Sequence, residues 1–410
     1  MTYTVDLTMV DQPNPRWIYE QVERPLPPIV GAMESAGILV DRDRLAELGC
    51  TVDTRIAGID LGVLDSVNYK SPLQLAHLLY NVVGLQPVRK TSGGAWSTDE
   101  KSLKEIRRRA GHAVPIIDTL LRIRSLEKLK STYVTALLER TVDNPRLHFQ
   151  FLQHGTETGR FSALNPNMQN MPSRGEFADE FRSCFIAPVG KVLVCSDASQ
   201  IELRVMAAFS RDPFLTGAFN NDEDIHQAVT TLLGLSDRRV GKNINFGIGY
   251  GLSTPSLATL LGVSQREATQ LMDEYWRRVP LLKAWFTRSK ELLVSNGFVT
   301  TMFGRINHYN LGDNDNTNAS TFREANNMRV QGTAADIIKL YMAIVHYTYS
   351  MYGGCMMLTV HDEVVGEVDE DKGELCRSAL EYIGSTVVDI GVPLRWDVHI
   401  GRSWQEAKGK

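Results

Sequence analysis

The chain has 410 residues, of which 43% are hydrophobic and 22% charged, with a formal net charge of −4. That length supports a large core and more than one subdomain, and the balance is that of an ordinary globular protein. No apolar run approaches the roughly 20 residues that span a bilayer. The start, "MTYTVDLTMVDQPNPRW", lacks a basic region followed by an apolar core, so neither a membrane span nor a secretory or transit signal is expected.

In chain order, "NPRWIYEQVERPLPPIVGAMESAGILVD" reads as a helix stopping at Gly37 and a short extended piece from Ile38 to Val40. Residues 41 to about 140 are mainly helical by pattern, ending in a long candidate helix, "PIIDTLLRIRSLEKLKSTYVTALLER". Between Arg89 and Lys130 eleven Lys and Arg face five Asp and Glu, a net of +6. Such a stretch suits a phosphate backbone, and equally a solvated helix face. Further on, "LHFQFLQHGTETGRF" alternates like a strand and turns at Gly155 and Gly159, and "KVLVCSD" is a strand. Residues 210 to 295 read as helical, with loops at Gly234 and at Thr254-Pro255. "CMMLTVHDEVVGEV" reads as a hairpin breaking at His361-Asp362-Glu363, and a helix near 371–389 and a strand "LRWDVHI" close the chain. The plan is α+β, with distant strands joined in one sheet. The five cysteines, Cys50, Cys184, Cys195, Cys355 and Cys376, are never spaced C-x-x-C, which argues against a zinc site or disulfide framework and suits a reducing cytosol.

Two acids carry the chemical reading. Asp197 and Asp362 both stand where apolar strands end. If those strands pair, the carboxylates face one another, and one is forced to hold a proton unless a divalent cation lies between them. Two Mg²⁺ ions about 4 Å apart are the usual device for nucleotidyl transfer. The bland alternative is two separate strand-end turns. In "RRVGKNINFGIGYG", Arg238, Lys242, Phe246 and Tyr250 recur every four residues, which makes one helical stripe with cations at one end and aromatics at the other. Cations suit the phosphates of a nucleotide and aromatics its sugar and base, although the aromatics of a surface helix can also pack into a core.

Several ordered motifs resemble the polymerase region of family A DNA polymerases over residues 17 to 410. "DASQIELR" resembles motif A, "RRVGKNINFGIGYG" motif B and "VHDE" motif C. "TETGRFSALNPNMQNMP", "DIHQA", "VQGTAADIIKL", "LEKLKSTYV" and the ending "VPLRWDVHIGRSWQEAK" also match. The resemblance implies a right-hand fold with an antiparallel palm sheet and mainly helical thumb and fingers. Residues 1–40 would lead into the palm, 41–145 form the thumb, 146–210 the palm with motif A, 211–310 the fingers, and 311–410 the palm with motif C.

It further implies a template-directed DNA polymerase using two Mg²⁺ ions, with Mn²⁺ as a substitute. The metal ligands would be Asp197, Asp362 and the carbonyl of Ala198. Glu363 would be an auxiliary acid, and Lys242 would join the catalytic group. Arg238, Lys242 and His226 would contact the triphosphate, Phe246 the sugar, and Tyr250 the template side, with Gln200 in the same pocket. His226 can also be read as a helix-start residue. Glu202 would close the pocket beneath the 2′ carbon and exclude ribonucleotides. Arg160, Asn167, Gln169, Asn170, Asn327 and Gln331 would line the duplex minor groove, His361 the primer end, and Arg305 and Arg323 the DNA strands. Any one of those amides can instead cap a turn.

The sequence departs from the family at three points. Ala198 replaces the usual tyrosine, and Gly241 and Gly249 replace larger residues, each interior glycine costing a helix about 1 kcal/mol. The glycines predict a helix that deforms readily during closure. Only sixteen residues precede the matching region, so an enzyme without proofreading is expected, with any excision or processivity supplied by a separate subunit. The partners implied are primer-template DNA and deoxynucleoside triphosphates, with no membrane, for a monomer in the cytoplasm of a bacterial or phage-infected cell. The competing readings are a catalytically silent, polymerase-like DNA-binding accessory subunit and an RNA polymerase or primase of related fold. The retained acids argue against the first, Glu202 and Phe246 against the second.

Overall fold

The apolar run that stops at Asp197 folds as strand β1 (Lys191–Ala198), and Val192 to Ser196 are all buried, as a continuous apolar run requires when both faces are covered. A computed structural model of the chain describes residues 3–4, 10–110, 114–172, 175–249, 251–312 and 315–409. After β1 come helices α1 (Ile201–Ser210), α2 (Ile225–Leu232), α3 (Arg238–Gly249), α4 (Pro280–Asn296) and α5 (Asp315–Met351). Strands β2 (Cys355–Val360) and β3 (Glu363–Asp369), helix α6 (Gly373–Thr386) and strand β4 (Trp396–Gly401) complete the unit. The sheet order is β2-β3-β1-β4, with each of these pairs antiparallel. The strands arrive from segments more than 150 residues apart, as the α+β reading expects.

Helices α5 and α6 anchor against this sheet. Tyr341 of α5 stacks on Trp396 with centroids 3.6 Å apart, and the Tyr349 hydroxyl donates to the Val194 carbonyl at 3.1 Å. Ile337, Ile338, Leu340, Tyr341 and Met342 are consecutive or nearly so and all buried, so α5 is an interior helix at that level.

Two compact units divide the chain. One comprises Met1–Leu39, Arg146–Met171 and Phe185–Lys410, and the other Val40–Pro145 and Pro172–Cys184. In the first, the helix Leu26–Ala36 ends at Gly37 and leads into strand Ile38–Val40, which pairs Ile38 with Leu147. Gly37 has φ 59°, and a Cβ there would strike the Leu147 carbonyl and the His148 ring, so no other residue turns the chain here without strain. The second unit is helical, with Arg42–Ala57, Glu100–Ala110 and a continuous helical run from Pro115 to Arg140 that passes through a π-helical turn at Leu129–Thr135. Leu64, Leu75, Leu78, Leu79, Leu103, Ile117 and Leu120 form its core. Its basic stretch is largely paired at home: Lys104 with Glu100, Arg107 with Asp118, and Arg108 and Arg109 with Glu105.

Thr254-Pro255, expected to be a loop, opens a helix instead (Thr254–Leu261). Ser253 caps it and Pro255 sits in its first turn, where a missing N–H costs nothing. Gly241 also has a packing reason. A Cβ at that position would strike the His226 carbonyl and the Thr230 hydroxyl, so the glycine lets α3 lie directly on α2. His226 and Asn245 are buried in that contact, with His226 Nδ1 3.1 Å from Asn245 Nδ2.

The first unit also buries a network of charges. Glu23 pairs with both Arg305 and Lys339, and Arg305 pairs with Asp336, which also accepts from the Thr301 hydroxyl at 2.8 Å. Burial opposes the Glu23 carboxylate, but Lys339 and Arg305 outweigh it and hold its pKa below the usual range. Removing that acid leaves the buried Lys339 without its paired carboxylate, while Arg305 keeps Asp336. Glu23→Gln is therefore expected to destabilise the chain by about 3–5 kcal/mol, read as a lowered midpoint in urea unfolding.

His226 makes a second prediction. Burial first, then Arg238 and Lys242, push its pKa from 6.5 down to about 4, against the pull of Asp224. The unfolded imidazole takes a proton near 6.5, whereas the folded one stays neutral until about 4. This contribution is complete above that upper value and is lost as the pH falls through the window. Urea midpoints measured across it are expected to fall, and His226→Gln to flatten the fall.

Candidate active site

The hairpin register pairs Val360 with Glu363, leaving His361 and Asp362 as a two-residue turn. His361 takes the left-handed conformation that such a turn needs, φ 55°. Strand β3 then pairs Glu363 with Asp197, and the Ala198 amide donates to the Asp362 carbonyl at 3.0 Å. On the other side β4 sets Asp397 opposite Asp197. Asp197, Asp362, Glu363 and Asp397 thus gather at one end of the sheet, where the sequence places strand ends but not their pairing.

The crowding shows in the acid strengths. Asp197 keeps a solvent-open face, yet the protein on its other sides, then Glu363, and further Asp362 and Asp397, raise its carboxyl to about 6 against the pull of Lys408. Asp362 is also raised, by burial and by Glu202, against the pull of Arg160. Among the described residues no group of three or more His, Cys, Asp or Glu is compact enough to hold a metal by side chains alone. Two carboxylates with unfavourable charge, flanking the backbone of Ala198, form a hard oxygen donor set that suits Mg²⁺ or Mn²⁺.

Glu363, expected as an auxiliary acid, stands beside Asp197 but has both oxygens engaged. It is 3% exposed; Trp404 Nε1 donates to one of its oxygens and Lys408 Nζ pairs with the other. Arg160, expected in the minor groove, lies within the acid cluster, where its Nη2 donates to Glu202 Oε1 at 2.7 Å and to Asp362 Oδ1 at 3.0 Å. Gln169 clamps the turn: its Nε2 donates to the Thr359 carbonyl at 2.7 Å, and its Oε1 accepts from the His361 amide at 2.9 Å. Asn167 caps the short 3-10 turn Met168–Asn170 through the Gln169 amide, the capping role weighed for these amides.

Glu202 stands in the first turn of α1, two residues after Gln200, whose backbone is left-handed and whose Oε1 is buried without a hydrogen bond among the described residues. On α3, Arg238 and Lys242 are exposed while Gly241, Ile244, Asn245 and Ile248 are buried, so the cation end of the stripe faces solvent. Arg238 Nε donates to Asp224 Oδ2 at 2.6 Å, and Asp224 also caps α2 through the amides of His226 and Gln227. His226, placed on the triphosphate by the sequence, is instead enclosed between α2 and α3. Tyr250 lies outside the described residues, as do the Phe246 and Gly249 side chains.

Arg323, Asn327 and Gln331 follow one another every fourth residue along α5; Arg323 is exposed and the two amides half-buried. Arg305 does not join them. Its side chain is 12% exposed and ion-paired with Glu23 and Asp336, so it belongs to the interior rather than to a DNA-facing surface. Sequence reasoning missed Trp404 and Lys408. Both lie in "SWQEAK", about forty residues past Glu363, and no spacing links an indole and an ammonium to one carboxylate.

Comparisons with known proteins bear on the family and the fold. The family model for DNA polymerase family A matches residues 45–406. The chain is 36% identical over 409 residues to a thermostable DNA polymerase I of Thermus filiformis, covering 96% of this chain and 48% of that protein. It is 34% identical to a DNA polymerase I of Synechocystis sp., covering 97% of this chain and 43% of that one. The chain therefore spans about half the length of the curated relatives it matches. Among solved structures, it resembles the POL domain of Pol1 from M. smegmatis, in complex with DNA primer-template and dNTP. That match has a TM-score of 0.86 at 31% identity and covers 96% of this chain and 71% of the other. The chain thus has the right-hand polymerase fold and belongs to DNA polymerase family A.

Proposed function

We propose that the chain is a template-directed DNA polymerase that extends a primer 3′-hydroxyl with deoxynucleotides. The observation that carries this reading is the register that pairs Glu363 with Asp197 and bonds the Ala198 amide to the Asp362 carbonyl. It sets two acids from opposite parts of the chain beside one backbone carbonyl. In the reaction the 3′-oxygen attacks the α-phosphorus, a new P–O bond forms, the bond to the bridging oxygen breaks, pyrophosphate leaves, and the hydroxyl proton passes to water. A pair of divalent cations held by Asp197, Asp362 and the Ala198 carbonyl would lower the pKa of the hydroxyl and neutralise the phosphates.

The remaining roles fall to this chain's own side chains. Arg238 and Lys242, on the open face of α3, bind the triphosphate, and the carboxylate of Asp224 orients Arg238. Phe246 and Tyr250 take the sugar and the template side. Glu202 closes the floor of the pocket, and its link to Arg160 ties that floor to the primer end. Arg323, Asn327 and Gln331 present one helix stripe to the duplex. Residues 41–145 are assigned as the thumb. Primer-template DNA and deoxynucleoside triphosphates are the partners, in keeping with the ligands of the M. smegmatis structure. A mismatched primer terminus, run in the same assay, reads any excision directly.

Asp197→Ala and Asp362→Ala are each expected to lower primer extension by at least about a hundredfold. Above pH 6 the Asp197 change is not expected to destabilise the fold, because ionising a carboxyl whose pKa is raised to about 6 works against folding. Full extension by either variant would remove the proposal, and a wild-type chain that binds primer-template without extending it would favour the silent accessory subunit. Glu202→Ala is expected to raise ribonucleotide use relative to deoxynucleotide by about tenfold or more. Unchanged discrimination in a competition assay would cancel that role.

A further inference from the structure

We infer that Lys408 is a positioning residue for the acid cluster: by engaging Glu363 it keeps a third carboxylate away from the site that Asp197 and Asp362 present to cations. The inference rests on the polymerase reading above and deepens it. Glu363 is the direct cross-strand partner of Asp197, so their side chains leave the sheet on the same face. A free glutamate at that position would reach toward the same cation. It is instead buried, with one oxygen taken by the Trp404 indole and the other by the Lys408 ammonium.

Both donors come from the last eight residues, and the segment that carries them is fixed independently of the acids. The Trp404 amide donates to the Phe185 carbonyl at 2.8 Å, the two rings meet edge to face at 5.6 Å, and the Ala407 amide donates to the Ser403 carbonyl at 3.0 Å. The 3-10 turn Glu406–Lys408 therefore delivers its ammonium from a fixed base. Arg160 deals in the same way with Glu202 on the other side of Asp362. Arg395 meets Asp397, the other cross-strand neighbour of Asp197, at 3.3 Å, so Glu363, Asp397 and Glu202 each contact a cation of the protein, Arg160 being shared between Glu202 and Asp362.

The test uses the full 410-residue chain without DNA or nucleotide, with Mn²⁺ as the probe and the free-ion signal in electron paramagnetic resonance as the readout. Lys408→Met is expected to tighten Mn²⁺ binding about three- to tenfold, because a positive charge leaves and Glu363 is released toward the site. Lys408→Arg is expected to restore wild-type affinity. In the Glu363→Gln background the same Lys408→Met change removes only the positive charge and is expected to tighten binding by a clearly smaller factor than in the wild-type background. Unchanged affinity in Lys408→Met, or an equal shift in both backgrounds, would overturn the inference. Primer extension by the wild type is scored separately, so a failure of the polymerase reading shows there while the Mn²⁺ cycle still reports on the lock.

Discussion

Repulsion among carboxylates gathered at one end of an antiparallel sheet is the constraint around which the larger unit is arranged. Strand register brings Asp197, Glu363 and Asp397 abreast, and the tight hairpin adds Asp362. The result is visible in the raised pKa values of Asp197 and Asp362. A fold that only needed to be stable would not assemble this group, since each added charge opposes its neighbours. The surroundings answer with cations placed one by one: Lys408 against Glu363, Arg160 between Glu202 and Asp362. Those cations offset the crowding only in part, since Asp197 and Asp362 both stay raised, and an added divalent cation beside the Ala198 backbone would relieve what remains.

Holding that pair still requires a rigid frame, and the interior supplies one with charges as well as apolar packing. Glu23, Arg305, Asp336 and Lys339 tie the N-terminal segment to the strand pair Phe298–Thr300 and Ile306–His308, next to Thr301, and to α5. Arg329 repeats the device at a second level, pairing with Asp11 and lying over the rings of Phe209 and Trp285. Such pairs add little net stability, but losing one partner is costly, so they fix which segments meet. Gln169 works on a smaller scale, satisfying the turn on both sides of His361 without adding charge.

Helix α3 follows a different rule of packing. Its buried face must come close to α2, and Gly241 makes that approach possible, while its open face keeps Arg238 and Lys242 in solvent. A residue that looks like a weakness in helix propensity is thus a packing requirement. The enclosure of His226 belongs to the same contact, with burial the larger cause of its low pKa.

The sequence alone determined the secondary elements around the site, because apolar periodicity and turn residues act over a few neighbours. The stop at Gly37, strand β1, the hairpin break near His361-Asp362 and the helix carrying Arg238 and Lys242 are all local patterns, although Glu363, read as part of the break, is the first residue of β3. The acids were legible as strand-end residues for the same reason. Tertiary structure decided which of several similar charges face the site. Arg305 and Arg323 stand on neighbouring stretches of sequence, yet one is interior and the other exposed. Glu363 follows Asp362 directly, yet its oxygens go to Trp404 and Lys408. The charge of a side chain is written in its identity, but its partner is set by strand register and long-range packing, and neither leaves a periodic trace in the chain.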